Sequence, residues 1–284
     1  MIGSPNVTGI RRIHRPSVEE FRREFLVPGI PAILTGVTAD WPAAQWSVEH
    51  FETVMGDVKL AVQKRPDGNG TPGERTDSLS MREYVRLITS DRPDRKHFYY
   101  TTSRVVPEFA RDLGSIPYAL GDNRSPSLFF MGCESFTRLH YHPEGDAFTC
   151  QFIGSKRFVL YPPDQSRFLY VVPLSPTSRA LDPEKADRDL YPAFSKARAI
   201  ECVLQPGEVM FIPIHWWHVV YGSEFNVSVL YPSVVTDWRR VWFPPIGWRG
   251  TTCVAARNIG GLLGTRPVVK LRETFRRIAS RSRP

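Results

Sequence analysis

The stretch Thr137-Arg138-Leu139-His140-Tyr141-His142-Pro143-Glu144-Gly145-Asp146 limits the folds open to this chain more than any other. His140 and His142 stand two apart, and in a β-strand that spacing turns both imidazoles to one face. Thr137, Leu139 and Tyr141 around them favour a strand. Pro143 and Gly145 then turn the chain, and Asp146 opens the apolar run Ala147 to Ile153. A strand, a turn and a returning strand can bring Asp146 back beside the two histidines. Imidazole and carboxylate together suit Fe, Zn, Cu, Ni and Mn.

A third corner lies further on. Gln205-Pro206-Gly207-Glu208 reads as a turn, Val209 to Ile212 as a strand, and Pro213-Ile214-His215-Trp216-Trp217-His218 follows. His218 comes after two tryptophans, which predicts a dry, walled pocket around it. A lone strand histidine is more often a half-buried, hydrogen-bonded residue than a ligand. The following acid, the Pro-Gly-Glu turn and the Trp-Trp-His run move the balance toward a metal. His215 is the weaker candidate, because local hydrogen bonding accounts for it.

Several short motifs together resemble a JmjC-type cupin, near in pattern to the Fe(II)/2-oxoglutarate asparaginyl hydroxylase that inhibits hypoxia-inducible factor. They are Leu139-His140-Tyr141, Gly154-Ser155-Lys156-Arg157-Phe158, Tyr161-Pro162-Pro163-Asp164-Gln165, and Pro206-Gly207-Glu208 through Trp216-Trp217-His218. The resemblance spans roughly residues 10 to 235 and implies a mostly β fold, the double-stranded β-helix or jelly-roll, with flanking helices at both termini. It implies Fe(II) as metal and 2-oxoglutarate as co-substrate. By the same resemblance His140 and His218 match the first and last metal ligands. Lys156 matches the lysine that pairs with the far carboxylate of 2-oxoglutarate, where a compact cation suits an anion. Thr137 matches a hydroxyl on that carboxylate, and Tyr99 matches a co-substrate tyrosine.

Two positions depart from the pattern. His142 stands where the family has an acid, which removes the carboxylate from the two-His-one-carboxylate triad. Asp146 restores it as a ligand in one reading, since His-x-His-x-x-x-Asp fits the wider cupin pattern. In the other it orients a ligand from outside. Four bound side chains on six-coordinate iron would leave too few positions for a chelating co-substrate and O2, which favours the second. Leu230 stands where the family tends to place Asn.

The chain of 284 residues can bury a full core. We expect three parts: 1–126, an N-terminal segment packing on the barrel; 127–235, the barrel core; and 236–284, a basic, aromatic and helical extension. No apolar run reaches the length of a membrane span, and no secretory pattern is visible. Cys133, Cys150, Cys202 and Cys253 form no Cys-x-x-Cys and read as buried thiols, so a cytoplasmic location is expected. The net charge of +8 is uneven, because from Asp237 onward the acids are Asp237 and Glu273 alone. That tail reads as a solvated basic helix or as the contact for an acidic partner.

Along the chain, Ser17 with Glu20 forms a capping-box pattern before a helix whose apolar face is Val18, Phe21, Phe25 and Leu26. Pro31–Thr35 reads as a strand, Val48–Met55 as a helix capped by Ser47, and Val58–Val62 as a strand. Residues 65–78 read as a turn-rich loop, Ser80–Ile88 as a helix, His97–Thr101 as a strand, and Pro107–Leu113 as a short helix. Barrel strands follow at Ser127–Gly132, Phe136–His142, Ala147–Gly154, Arg157–Tyr161, Ile200–Leu204, Val209–Ile212, His218–Tyr221 and Asn226–Tyr231. Residues 164–198 read as a surface excursion near the mouth. Trp216 and Trp217 are candidate dry walls, with Phe148 and Phe152 more readily placed in the core. Trp238, Trp242, Phe243 and Trp248 read as packing of the tail, and Lys270–Ala279 as a basic helix whose apolar stripe suits docking or a homodimer.

These features lead to an oxygenase that hydroxylates an unactivated C–H bond, with a peptide, protein or small-molecule substrate. Three rivals stand beside it. A three-His cupin enzyme would not use 2-oxoglutarate and would tolerate loss of Lys156. A tRNA-base hydroxylase would draw on the basic tail, although no aromatic-basic interleaving marks a stacking platform. A non-catalytic binding protein on this scaffold would bind its partner without His140.

Overall fold

A computed structural model describes residues 9–64, 75–102, 105, 107–120, 126, 128–143, 145–173, 175–235 and 240. The first half carries β1 (Arg11–His14), α1 (Val18–Phe21), β2 (Ala32–Thr35), α2 (Val48–Thr53), β3 (Lys59–Lys64), β4 (Arg75–Ser80), α3 (Met81–Thr89), β5 (Phe98–Thr102) and α4 (Pro107–Ala110). The second half is almost wholly strand: β6 (Leu128–Cys133), β7 (Phe136–His140), β8 (Gly145–Ile153), β9 (Lys156–Tyr161), β10 (Ile200–Leu204), β11 (Glu208–Ile212), β12 (Trp217–Gly222) and β13 (Phe225–Val234). They form a large sheet in the order β1-β2-β11-β8-β13-β6-β5-β3-β4 and a small one in the order β10-β9-β12-β7. All pairs are antiparallel except β1 with β2. The fold is mostly β, as a cupin jelly-roll requires.

Three apolar layers explain the strand sequences. Phe148, Cys150, Val209, Phe211, Val227, Val229 and Tyr231 point outward from the large sheet and meet Phe21, Phe25, Phe51 and Tyr84 of the N-terminal segments. Between the sheets, Phe158, Leu160 and Val220 meet Ile33, Met210 and Ile212. Outside the small sheet, Leu139, Tyr141, Val159, Tyr161, Trp217 and Val219 lie under Leu169, Ala180 and Phe194. Strands such as β8 are therefore buried on both faces and read as nearly continuous apolar runs. Trp216 belongs to the inner layer and Trp217 to the outer one, as adjacent strand-end residues should.

Some expectations change. Val18 is solvent-exposed, while Phe21, Phe25 and Leu26 are buried, and the first helix continues as a wider π turn over Arg22–Leu26. Ser17 does accept from the Glu20 N–H. The full reciprocal box is at Ser80 and Glu83, opening α3. Arg75–Ser80, of which 75–78 were expected within a loop and Ser80 at the start of a helix, is strand β4, registered along β3 from Lys59↔Ser80 to Lys64↔Arg75. It lies at the sheet's edge, paired along its backbone with β3, and its polar sequence gave no period. The excursion 164–198 is a surface segment but also an edge cover. Leu139 N–H donates to Leu181 O at 2.8 Å, Tyr141 N–H to Pro176 O at 3.0 Å, and Ser178 N–H to Leu139 O at 3.2 Å, closing the open side of β7.

Cys133 and Cys150 are buried free thiols and Cys202 is half-buried. Among the described residues no helix is long and apolar enough to cross a membrane. The aromatic cluster after Asp237, Cys253 and the helix expected at Lys270–Ala279 lie outside the described residues. Phe148 sits among Phe21 and Phe211, with ring centroids 5.8 and 5.0 Å away. Phe148→Ala should cost about 3–5 kcal/mol of unfolding free energy in urea melts, by leaving a cavity in that layer.

Candidate metal centre

Register brings the histidines together. β12 pairs with β7 so that His218 stands directly opposite His140, and cross-strand partners share a face. Their rings lie 4.2 Å apart, and the His142 ring lies 5.4 Å from His140 and 4.8 Å from His218. One ring nitrogen from each falls within 4.8 Å of the others. His140 Nδ1 meets Arg138 O at 2.8 Å, and His218 Nδ1 meets Trp216 O at 3.0 Å. A carbonyl only accepts, so each Nδ1 carries the hydrogen and each Nε2 keeps its lone pair. Burial holds all three side chains below the ordinary imidazole pKa, His142 down to about 3 with His140 adding repulsion. Neutral imidazoles are the form that ligates a cation.

A bulge puts Thr137 on the same side. Three residues of β12, His218 to Val220, face four of β7, His140 to Thr137. Without the extra residue, Thr137 and His140 would point to opposite faces. Val220 packs in the inner layer, so its partner Thr137 faces inward too.

Lys156 lies deeper. Along β9, Leu160 pairs with His218, Phe158 with Val220, and Lys156 with Gly222. The lysine is thus four residues from the histidine level, about 13 Å along the strand at ~3.3 Å per residue, with Thr137 between. It is 5% exposed. Its ammonium donates to Ser228 Oγ and stands 5.0 Å from the centre of the Phe130 ring. Burial pushes its pKa down to about 7, and no acid among the described residues offsets that. Gln151, paired with Ser228, donates its amide to Ile153 O and Gly154 O, while its buried Oε1 has no partner. Tyr99 is buried beside this pocket, its ring 6.4 Å from Phe130. A Cβ added at Gly132 would come 2.7 Å from Tyr99 Cδ2, so that glycine makes room for the tyrosine.

Asp146 is not among the converging side chains. It shares a β8 face with Phe148, which points out of the barrel, whereas Thr149 and Gln151 take the opposite face. Its carboxylate accepts from both terminal nitrogens of Arg240, at 2.7 and 3.1 Å, and from Ile214 N–H at 2.8 Å. Burial raises its pKa and Arg240 opposes the rise. His215 is buried, with its N–H on His142 O at 3.0 Å.

Ser228, Gln151 and Arg240 went unnoticed in the sequence. The alternation Asn226-Val227-Ser228-Val229 carried a signal for Ser228, since its polar positions oppose the apolar ones. No spacing rule reaches Arg240 across the chain.

The sequence profile of the cupin-like domain family matches residues 18–231. This chain belongs to that family. It is 29% identical over 233 residues to lysine-specific demethylase 8 of Xenopus tropicalis, covering 78% of this chain and 52% of that protein. It is 32% identical over 239 residues to the bifunctional arginine demethylase and lysyl-hydroxylase psr-1 of Caenorhabditis briggsae, covering 75% and 58%. Human bifunctional peptidase and (3S)-lysyl hydroxylase JMJD7 is 25% identical over 257 residues, covering 75% and 80%. The cupin thus spans just over half the length of the first two relatives.

The donor set fits a borderline divalent ion, being three neutral imidazoles with at least two rings locked by their far nitrogens. Replacing His218 by Ala should weaken Co(II) binding by more than the ~10–100-fold typical of outer contacts, as read by equilibrium dialysis.

Proposed function

We propose that this cupin is an Fe(II)- and 2-oxoglutarate-dependent oxygenase that hydroxylates an unactivated C–H bond. The substrate class we favour is a peptide or protein side chain, or a peptide-derived natural product. The observation that carries the reading is the order along the barrel: three converging histidines, then Thr137, then a buried lysine without an acid. A diacid with one end at the histidines and the other at Lys156 would supply the missing counter-charge. The names of two relatives, a bifunctional arginine demethylase and lysyl-hydroxylase and a bifunctional peptidase and (3S)-lysyl hydroxylase, support both the reaction type and an amino-acid side chain as target.

His140, His142 and His218 would hold the metal, with Asp146 committed elsewhere. Bound Fe(II) with 2-oxoglutarate and O2 supplies the oxidising chemistry, the co-substrate leaving as succinate and CO2. The chain's own part is to bind and to orient. Lys156 and Ser228 offer a charged donor and a hydroxyl to the far carboxylate, and Thr137 adds a second hydroxyl. Phe130 and the apolar inner layer keep water from that contact. Tyr99 is proposed to border the same co-substrate. Three imidazoles add no negative charge, so the metal keeps its full double charge and favours anionic company.

The same all-imidazole set supports a second reading, a cupin enzyme that uses its metal without 2-oxoglutarate. Anaerobic titration with Fe(II) and 2-oxoglutarate separates the two. The proposed enzyme should give the weak visible charge-transfer band of the chelate, and Lys156→Ala should need much more 2-oxoglutarate to reach it. Iron binding with no band would support the second reading.

The acidity of Lys156 adds a pH signature. Only the ammonium form holds the carboxylate, and in the ligand-free protein that form is lost above about pH 7. Apparent affinity for 2-oxoglutarate should therefore fall as pH rises past about 7, by up to ~10-fold per unit. In Lys156→Ala, binding should be weak and flat over that range, as followed by the same band or by calorimetry.

A further inference from the structure

Four consecutive residues, Pro213 to Trp216, connect β11 to β12, and three of them reach the candidate metal centre or Asp146 through the backbone. Trp216 N–H donates to Pro213 O at 3.2 Å and closes the turn. Ile214 N–H donates to Asp146 Oδ1 at 2.8 Å. His215 N–H donates to His142 O at 3.0 Å. Trp216 O accepts from His218 Nδ1 at 3.0 Å. One turn thus fixes the backbone at one histidine and the ring of another.

The turn is not in a relaxed conformation. His215 has φ +70°, a left-handed backbone that a non-glycine residue adopts at a cost. Such a conformation persists only where its surroundings hold it. Beside the backbone bonds of the turn, Asp146 holds its Ile214 N–H from a fully buried position, where the carboxylate would by itself be a costly isolated charge. Arg240, from beyond the end of β13, places both terminal nitrogens on that carboxylate, and its side chain is 14% exposed. A bidentate pair of this kind fixes orientation as well as charge.

We infer that Arg240 and Asp146 form a latch that positions His142 and His218 for metal binding by holding the Pro213–Trp216 turn in place. They are positioning residues, since neither side chain joins the histidine cluster. The inference rests on the three-histidine reading of the metal centre and extends it to the segment after the barrel. It accounts for an acid at the spacing of a ligand that is turned away from the ligand cluster.

The test is Co(II) binding to the full chain, with affinity and visible ligand-field spectrum measured together. Arg240→Ala should bind Co(II) about 10–100-fold more weakly, with an altered spectrum, and Arg240→Lys should recover part of the loss. Asp146→Asn should behave like Arg240→Ala. Ser80→Ala, which weakens the α3 cap far from the turn, should keep wild-type affinity and spectrum, so a general loss of stability is told apart from lost positioning. Wild-type affinity and spectrum in both Arg240→Ala and Asp146→Asn would overturn the latch while leaving the metal centre intact. Tighter binding in Arg240→Ala would also overturn it, showing that Arg240 withholds Asp146 from the metal as a ligand. If Asp146→Asn does not fold, Arg240→Ala and Arg240→Lys decide. No Co(II) binding by the wild-type chain would overturn the three-histidine reading itself, and the latch with it.

Discussion

The antiparallel pairing of β12 with β7 is the contact on which the rest of the site depends. It sets His218 opposite His140 without either side chain having to search for the other. Both strands have apolar outer faces buried under the 164–198 excursion, through Leu139, Tyr141, Trp217 and Val219. A slip of one residue would turn those side chains inward and the histidines outward, so the outer layer protects the register of the inner site. The backbone bonds from 176–181 onto β7 close the edge from which such a slip would start.

Charge organises the interior in a complementary way. The histidine level holds three neutral groups and the far level holds Lys156, with mostly apolar residues between. Such an interior has a standing need for negative charge at one end and for a cation at the other. Neither need is met from within the described chain. A buried lysine with only a hydroxyl and an aromatic ring beside it is a poor choice for stability alone. The unpartnered Oε1 of Gln151, on a residue registered with Ser228, marks the same level as unfinished. Both observations belong to a binding cavity more readily than to a packed core.

Most of the barrel was legible because its strands are short, apolar and bounded by Pro and Gly, and the His-x-His pair was legible because strand parity is strict. Parity also shows where a reading by spacing fails. Thr137 sits three residues before His140, which in a regular strand puts them on opposite faces, and only the bulge in β7 reconciles them. Strand β4 was missed because an edge strand is placed by its backbone, and Arg75-Thr76-Asp77-Ser78 has no apolar face to announce it. Ser228 had a readable signal in its alternation, whereas the Arg240 contact spans 94 positions and leaves no local trace.

Asp146 brings these points together. Its distance in sequence from His142 matches a ligand pattern, yet its side chain does not join the three histidines. What decides its role is the parity at which β8 starts: with Gly145 as first strand residue, Asp146 falls in the same series as Phe148, Cys150 and Phe152, all buried against the N-terminal helices. A carboxylate in that layer needs a cation, and Arg240 supplies one. The acid thereby stands apart from the three imidazoles, and in the proposed latch it reaches them through the strained turn at His215, where it accepts from the Ile214 N–H. The residue pattern of a four-ligand cupin is thus compatible with a three-ligand centre, because one added residue in a strand or turn reverses which face a donor takes.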